Sequence, residues 1–360
     1  MKIKKLLAVV TAVILIAGLS GCGQKKEEKP VTYEIAMLSD TATIEDGSFN
    51  EAVWQGIEAF VEENPVSYKS YLTTEAATDA YLRTVEEAID GGAKLVITAG
   101  ASFDETIYEA QSEHPEISFV LLDGQPKGGE KGDTEVRKNT VAVTFAEEQA
   151  GYLAGYAAVK EGYKKLGFAG GKELPPVQRF GYGFVQGADA AAKDMGTSNV
   201  RIKYGYTGTF DADAAVEQQA ADWYQDGTEV IFACAGGAGR SIMKAAEAAG
   251  GYVIGVDTDQ SKESETVLIA AVKNIDSTIN DILWGFYGDE EFAGGQTVKL
   301  DAENGGVGLS IASSRMKNFT KDDYNRVFSK LENKNVTVKG DGITDVKELE
   351  TNRVKLDMAK

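Results

Sequence analysis

The sequence of 360 residues predicts an α/β protein with two lobes, each a parallel sheet covered by helices on both faces. Short β-rich runs alternate with helical patterns along the chain, and several of these runs are apolar at every position, which is typical of buried parallel strands. The chain also exceeds ~250 residues, the size at which one hydrophobic core usually divides into two.

Nine strands are predicted in order along the chain. They cover residues 33–38, 94–98, 117–122, 140–144, 166–169, 200–204, 229–234, 252–256 and 267–272. The segments between them repeat apolar residues at spacings of three and four, which indicates amphipathic helices. Examples are Val53, Ile57 and Phe60 in one segment and Val85 and Ile89 in another.

The first 21 residues predict a leader peptide. A basic start is followed by a largely apolar run of 12 residues from Leu6 to Ala17, well short of the ~20 that a membrane-spanning helix needs. The leader ends in Leu19-Ser20-Gly21-Cys22, which resembles the lipobox of bacterial lipoproteins, cleaved before a cysteine that carries diacylglycerol. The alternative is an ordinary secretory leader with a chance cysteine. The segment 22–32 begins with a run of polar residues, and this composition predicts a flexible tether.

Composition excludes several classes of function. Removal of residues 1–21 deletes three lysines and no acidic residue, so the net charge of −19 becomes −22. A surface this acidic disfavours binding to nucleic acid and to strongly anionic ligands. Cys234 lies in an apolar run and is expected to be buried and inert, with no disulfide and no metal site.

Ligand chemistry is expected at the carboxyl ends of the parallel strands, because the chain turns there into the next helix. After the first strand, Ser48 and Glu51 fit a capping box that would begin a helix at Phe49. In the second half, Phe210 precedes Asp211 and Asp213, either of which would cap the following helix. Two aromatic rings from opposing lobes can sandwich a flat ligand, although either phenylalanine taken alone is more often a core residue.

Carboxylates end other predicted strands. Asp123 follows one strand, Asp257 and Asp259 follow another, and Lys273 ends the strand after that. A carboxylate accepts two hydroxyl donors at once, which suits a vicinal diol. Each aspartate alone is also a common turn residue or helix cap.

Signals for enzymatic chemistry are sparse. The segment 235–240 is rich in glycine but does not match the dinucleotide-binding pattern G-x-G-x-x-G, and Gly170-Gly171-Lys172 lacks the first glycine of a phosphate loop. The single histidine, His114, is expected on the surface, away from the ligand edge. An aspartate-based nucleoside hydrolase stays open as an alternative.

Several stretches resemble the basic membrane protein family of bacterial lipoproteins, the purine-nucleoside receptors of ABC transporters. The similar stretches include 46–50, 139–145, 151–155, 170–171, 179–180, 183–184, 235–237 and 256–261. The resemblance runs from about residue 35 to about 307 and implies the type I periplasmic-binding-protein fold, two Rossmann-like lobes with three crossovers. The expected lobes are 33–145 with 266–297, and 146–265 with 298–360, the latter carrying a C-terminal extension.

The resemblance also implies a site and a function. Asp40, Asn50 and Asp123 would bind the edge of a base, Phe49 and Phe210 would stack on its faces, and Gly237, Asp257 and Lys273 would bind ribose. The implied protein is a monomer, lipid-anchored outside the cytoplasmic membrane, without cofactor, metal or catalytic residue. It would capture guanosine, inosine or adenosine and deliver it to an ABC permease. A surface adhesin or sensor of the same fold is the alternative.

One loop departs from the family's pattern. The family has glycines soon after the residue that corresponds to Asp40, whereas this chain has Thr-Ala-Thr-Ile-Glu at 41–45. These bulkier residues are expected to reshape the end of the pocket that holds the base.

Overall fold

A computed structural model describes residues 32–128, 132–288 and 292–359. The predicted leader at 1–21, the predicted lipidation site Cys22 and the tether up to residue 31 lie outside the described residues. Within these ranges, no helix combines the length and the apolar character that crossing a membrane requires.

The first lobe is built mainly from the first part of the chain. Its elements are β1 (Ile35–Ser39), α1 (Phe49–Glu63), β2 (Tyr68–Leu72), α2 (Thr78–Asp90), β3 (Leu95–Ala99), α3 (Asp104–Glu113), β4 (Ser118–Leu122), the short pair β5 (Lys127–Gly128) and β6 (Asp133–Thr134), and β7 (Thr140–Phe145).

The second lobe follows. Its elements are α4 (Glu147–Glu161), β8 (Lys165–Gly170), α5 (Pro175–Asp194), β9 (Val200–Tyr206), α6 (Ala214–Gln225), β10 (Val230–Cys234), α7 (Gly239–Ala249), β11 (Tyr252–Asp257) and β12 (Val267–Lys273).

The remaining chain contributes to both lobes. It forms α8 (Ile275–Tyr287), β13 (Gln296–Leu300), β14 (Val307–Leu309), α9 (Lys321–Glu332) and β15 (Val354–Met358). α8 packs on α1 of the first lobe, and β13 joins the first sheet, whereas β14 and β15 join the second. The chain therefore passes between the lobes at Ala146, at Asn274 and at residues 301–306. These are the three crossovers of the type I periplasmic-binding-protein fold.

Both sheets have the same core order. The first runs β13-β7-β4-β3-β1-β2 and is parallel throughout. The second runs β14-β12-β11-β10-β8-β9-β15, and only β14 is antiparallel. In each sheet the chain order reverses beside its first strand, between β1 and β3 and between β8 and β10. Ligands of open α/β sheets bind at the carboxyl side of such a reversal.

All nine predicted strands are present, with ends that differ by one or two residues. The lobe boundary differs from its predicted position at 265/266, because β12 pairs with β11 through Ile254–Ile269 and continues the second sheet. The first lobe resumes only after Lys273. It extends to Leu300 rather than 297, because β13 pairs with β7 over its full length.

Helix α1 begins at Phe49, as the capping-box pattern predicts, but the cap is a different residue. The Ser48 side chain makes no capping bond. Asp46 accepts instead from the backbone N–H groups of Ser48, Asn50 and Glu51, at 2.8, 3.2 and 3.0 Å. In the second lobe, Asp213 caps α6 by accepting from the Val216 N–H at 2.8 Å.

Glycines bring α4 and α5 into direct backbone contact. A Cβ on Gly151 or Gly155 of α4 would lie 2.1 or 2.0 Å from the carbonyl oxygen of Phe180 or Phe184 on α5. Gly183 and Gly187 of α5 approach α4 as closely. The first crossover therefore leads into a tightly packed helix pair at the centre of the second lobe.

Candidate ligand-binding site

A cleft of about 650 Å³ lies where the carboxyl ends of the two sheets face each other. Seven of the eight residues predicted to bind ligand line it, namely Asp40, Phe49, Asn50, Asp123, Phe210, Asp257 and Lys273. They come from five strand ends and one helix start, and the fold brings them together because parallel strands end at a common edge.

Gly237 is the predicted residue that the structure places elsewhere. The cleft is lined instead by its neighbour Gly236, which has a positive φ of 54°. The turn at Gly236–Ala238 buries Gly237 beside Phe210, whose carbonyl oxygen would lie 3.1 Å from a Cβ at that position. A short 3₁₀ turn separates β10 from α7 and places Gly237 directly behind Gly236, so the contact of Gly237 with a ligand stays a prediction.

Lys273 is the centre of the polar side of the cleft. Its side chain is only 1% exposed. Its ammonium donates to Asp123 and lies 3.3 Å from Glu147 Oε1 and 3.5 Å from Asp257 Oδ1. Three carboxylates thus surround a group with three N–H donors. In this arrangement Lys273 fixes the position of the two aspartates that line the cleft.

Three aromatic rings complete the surroundings of that ammonium. The ring centroids of Phe49, Phe180 and Phe145 lie 4.9, 5.1 and 5.3 Å from Lys273 Nζ. A cation this close to aromatic faces is stabilised by the ring quadrupole, and more so when water is excluded. Phe49 is therefore both a wall of the cleft and a contact of the buried charge.

The cluster contains one more carboxylate than it has cations. Asp123, Glu147 and Asp257 face Lys273, and Glu147 also accepts from Arg179 Nε at 2.6 Å. Burial disfavours the Lys273 ammonium, but the three carboxylates outweigh burial and raise its pKa. Burial together with Glu147 and Asp257 raises the pKa of Asp123, although Lys273 opposes this. The site therefore favours hydrogen-bond donors over anions.

Asp123 and Asp257 occupy matching positions in the two lobes. Each stands at the end of the fourth strand of its lobe, and each has a left-handed backbone, with φ of 61° and 64°. This conformation is rare for a residue other than glycine, and such strain occurs often at ligand sites. Asp123 Oδ1 is buried and has no hydrogen-bond partner within the described residues. This oxygen is available to a ligand in the cleft.

Phe49 and Phe210 are both half-buried and line the cleft from opposite lobes. The ring of Phe210 lies on Gly171, where a Cβ would come within 2.3 Å of it. Lys172 Nζ is 5.5 Å from the same ring. The close approach to Gly171 supports Phe210 from behind, so that a side chain in an irregular loop still has a defined position.

Asp40 and Asn50 hold the loop in which the chain departs from the family pattern. Asp40 Oδ1 accepts from the Ala42 N–H at 3.0 Å. The Asn50 amide donates to the carbonyl oxygens of Ala42 and Thr43, at 3.2 and 3.3 Å. Both residues line the cleft, but part of their hydrogen-bonding capacity is used within their own lobe.

Burial raises the pKa of nearby Asp46 to about 6, against the effect of the backbone N–H groups it caps.

The wall from the second lobe is largely apolar. It consists of Leu174, Pro176, Val177 and Phe180 at the start of α5, together with Phe210 and Cys234. Cys234 is unpaired and buried, as predicted, and burial raises the pKa of its thiol well above the usual range. Such a wall excludes water from a ligand that the polar lobe holds.

Sequence reasoning missed Glu147, Arg179 and Ser48. Glu147 is fully buried at the start of α4, only two residues after β7 ends. Ser48 is fully buried too, and its hydroxyl donates to Asp257 Oδ2 at 2.7 Å. The position of Glu147 beside a strand end was a usable signal. Apart from the family resemblance at 179–180, nothing local distinguishes Arg179 from a solvated helix charge.

The described residues contain one group of side chains with the spacing of metal ligands. It consists of Glu86, Glu113 and His114, on α2 and at the end of α3. Both glutamates are exposed, and His114 lies at the edge of the sheet opposite the cleft, so the group is unrelated to the site.

Comparison with known proteins agrees with this architecture. Residues 33–341 match the family described as Bmp, ABC transporter substrate-binding protein PnrA-like. The chain is 30% identical to the ABC transporter nucleoside-binding protein BmpA of Lactococcus lactis subsp. cremoris, over 87% of this chain and 94% of that protein. It is 29% identical to basic membrane protein A1 of Borrelia garinii subsp. bavariensis, over 93% of this chain and 96% of that one.

Solved structures show the same fold. A solute-binding protein of an ABC transporter system from Aeropyrum pernix K1 superimposes with a TM-score of 0.69 at 22% identity, covering 85% of this chain and 87% of that one. A second, from Conexibacter woesei, gives a TM-score of 0.64 at 20% identity, with coverages of 85% and 99%.

Proposed function

The chain belongs to the Bmp family of PnrA-like ABC transporter substrate-binding proteins, and from that premise we propose that it captures a purine nucleoside and delivers it to an ABC permease. The choice of ligand rests on one observation: two aromatic rings lie in the same cleft as a cluster that has more carboxylates than cations. Phe49 and Phe210 line it from opposite lobes, and Asp123 and Asp257 supply acceptors between them.

Each part of a nucleoside has matching chemistry in the cleft. A flat base fits between two aromatic rings, and stacking of this kind tolerates any base because every base has a π face. The N–H groups of a purine fit the free oxygens of Asp40, Asn50 and Asp123. The two hydroxyls of ribose fit a carboxylate such as Asp257, which Ser48 and Lys273 hold in place.

The charge of the cluster supports a neutral ligand. With three carboxylates against Lys273 and Arg179, a phosphate would add negative charge to a site that already has an excess. We therefore expect nucleosides to bind much more tightly than their monophosphates. The bound nucleoside is expected to leave the protein chemically unchanged, so inosine should be recovered intact after incubation.

Calorimetry with guanosine, inosine, adenosine, their free bases and their monophosphates tests the proposal. We expect the nucleoside to bind with the highest affinity, the free base with a lower affinity and the monophosphate with the lowest. In Asp257→Ala, nucleoside affinity should fall while any binding of the free base stays nearly constant. A monophosphate that binds as tightly as its nucleoside contradicts the proposed ligand. Equal loss of base and nucleoside in the variant contradicts the contact between Asp257 and ribose.

We also propose that the protein is anchored outside the cytoplasmic membrane through a lipid on Cys22. The support is the lipobox pattern at Leu19–Cys22 and the polar tether that follows it. Two acyl chains hold a protein on a bilayer stably, whereas one does so only marginally. Cys22→Ser should move the protein from the membrane fraction to the medium or leave an unprocessed precursor. Unchanged partition and processing would show that Cys22 is not the anchor.

A further inference from the structure

The loop at residues 45–48, here called the mouth loop, makes three hydrogen bonds from the first lobe to the second. Arg240 Nη1 donates to the Glu45 carbonyl oxygen at 2.6 Å, and Gln260 Nε2 donates to the Gly47 carbonyl oxygen at 2.8 Å. The Ser48 hydroxyl donates to Asp257 Oδ2 at 2.7 Å. Three contacts from one short segment thus join lobes that must separate for a ligand to enter.

The partners in the second lobe are held firmly in place. Gln260 is 3% exposed, and its Oε1 accepts from the Val256 N–H at 2.9 Å, so its amide bridges the two lobes. Arg240, at the start of α7, also donates from Nε to Glu263 at 2.9 Å. Both donors are therefore oriented toward the mouth loop by bonds within their own lobe.

The mouth loop itself has a backbone that suits this contact. Gly47 has φ of 67°, which disfavours other residues, and a Cβ there would lie 2.6 Å from Arg240 Nη2. The Gly47 N–H donates to Glu51 Oε2 at 2.8 Å, and Asp46, the residue before it, accepts from the first N–H groups of α1. Phe49 follows immediately, so the loop also fixes the ring that faces Lys273.

We propose that the mouth loop is a latch that holds the lobes closed whether or not a ligand lies between them, with Gln260 and Arg240 as its positioning residues. None of its three contacts depends on a ligand atom. Asp46 and Phe49 line the cleft, so ligand exchange requires the loop to leave the second lobe. The latch therefore sets the rate at which a ligand enters and leaves the cleft. This statement about rates rests on the proposed function.

Two substitutions each remove one contact of the latch without emptying the cleft. Gln260→Glu keeps the acceptor for the Val256 N–H but places an oxygen against the Gly47 carbonyl. Arg240→Ala removes an exposed side chain. Each has a matched control within the second lobe. Gln219→Glu alters an amide that donates to the Tyr206 carbonyl at 3.3 Å, and Lys244→Ala removes an ion pair with Glu217 of 2.7 Å, one turn along α7.

Stopped-flow binding of guanosine measures the kinetic effect. We expect dissociation to be about tenfold faster in Gln260→Glu and in Arg240→Ala, the size expected for the loss of one well-oriented hydrogen bond. Association should be at least as fast as in the wild type, because the lobes open more readily. Both controls should keep wild-type rates. Unchanged dissociation, or equal acceleration in the controls, would overturn the proposal.

Small-angle X-ray scattering without ligand separates this inference from the proposed function. The two latch variants should have a larger radius of gyration than the wild type and the controls. Equal radii would overturn the latch. If the wild type binds none of the nucleosides, the proposed ligand is wrong, while the scattering comparison still decides whether the latch exists.

Discussion

The two lobes share a strand order but present different chemistry to the cleft. The first lobe contributes Asp40, Asp46, Asn50 and Asp123, all buried polar residues. The second contributes a mostly apolar wall, from Leu174 to Phe180 and at Phe210 and Cys234, with Asp257 and Lys273 at one end. The repeated architecture thus places strand ends alike. The first lobe supplies most of the polar groups, and the second supplies the apolar wall together with Asp257 and Lys273.

The lobes differ equally in how their helices pack. In the second lobe, α4 and α5 touch through their backbones at Gly151, Gly155, Gly183 and Gly187. In the first lobe, α1 meets α8 through side chains, and a Cβ on Gly56 would lie 3.0 Å from Ile279 Cβ. The helix pair of the second lobe is therefore packed more tightly than the pair of the first lobe.

The largest effect on stability is expected at Lys273, because its ammonium contacts carboxylates from both lobes. Lys273→Met leaves Asp123, Glu147 and Asp257 buried without their cation, and breaking a buried pair in this way costs about 3–5 kcal/mol of unfolding free energy. Urea unfolding at pH 7.5 measures it. Lys299→Met is the control, because the Lys299 side chain is 50% exposed and its ion pairs are worth about 1 kcal/mol or less. Equal losses in the two variants would mean that the buried cluster is not a structural link.

The next effect compares the two helix pairs. Gly155→Ala pushes a methyl group against the Phe184 carbonyl oxygen and should cost about 2–3 kcal/mol, because the helices must separate. Gly56→Ala needs only a small shift of Ile279, and the better helix propensity of alanine offsets part of that strain, so its change should stay within about 1 kcal/mol. Thermal unfolding of both variants measures this difference in stability. Similar melting temperatures would contradict the difference in packing.

The two aromatic rings give an effect of intermediate size on binding. Phe49→Ala and Phe210→Ala should each weaken nucleoside binding by about 1–3 kcal/mol, the range found for base stacking. Phe210→Ala should leave the melting temperature of the unliganded protein nearly unchanged. Phe49→Ala should lower it, because Phe49 also contacts the Lys273 ammonium. Calorimetry and thermal unfolding measure the two quantities. A stability loss of about 3–5 kcal/mol in Phe210→Ala would instead identify a core residue.

The smallest effect concerns pH and the polar lobe. Burial raises the pKa of Asp104 to about 7 from its ordinary value of 3.8. The folded protein therefore binds a proton that the unfolded chain has released, so unfolding free energy falls as pH rises from about 4 to 7. Asp104→Asn removes this contribution and should reduce the difference in unfolding free energy between pH 6 and pH 8 by about 1 kcal/mol. Urea unfolding at both values measures it, and an unchanged difference would contradict the raised pKa.

Much of the fold was predictable because the buried strands are apolar at nearly every position. The strands that were missed lie at sheet edges, where that signal is weak. β2, with the sequence YKSYL, is mostly half-buried, and β13 is half-exposed or more along its length. The boundary near 265/266 was misplaced because an apolar strand such as β12 does not indicate which of two sheets it joins.

The site was predictable as far as strand ends determine it. Asp123, Asp257 and Lys273 end or follow strands, and the structure brings them within contact distance of one another. The contacts that join the lobes were not predictable, because Ser48 with Asp257 and Gln260 with Gly47 are separated by 209 and 213 positions in sequence. Their roles as ligand contacts stay predictions that the binding experiments test.

The threefold passage of the chain between lobes has a consequence for biosynthesis. The first sheet lacks its edge strand β13 until residues 296–300 have left the ribosome, and the second sheet lacks β15, which pairs with β9, until later still. Neither lobe is a continuous stretch of chain, so each must wait for a distant segment before its sheet is complete, and many of its contacts are long-range and slow to form. The nascent chain therefore exposes unpaired strand edges over most of its synthesis, and its dependence on chaperones should be greatest before residue 300 emerges.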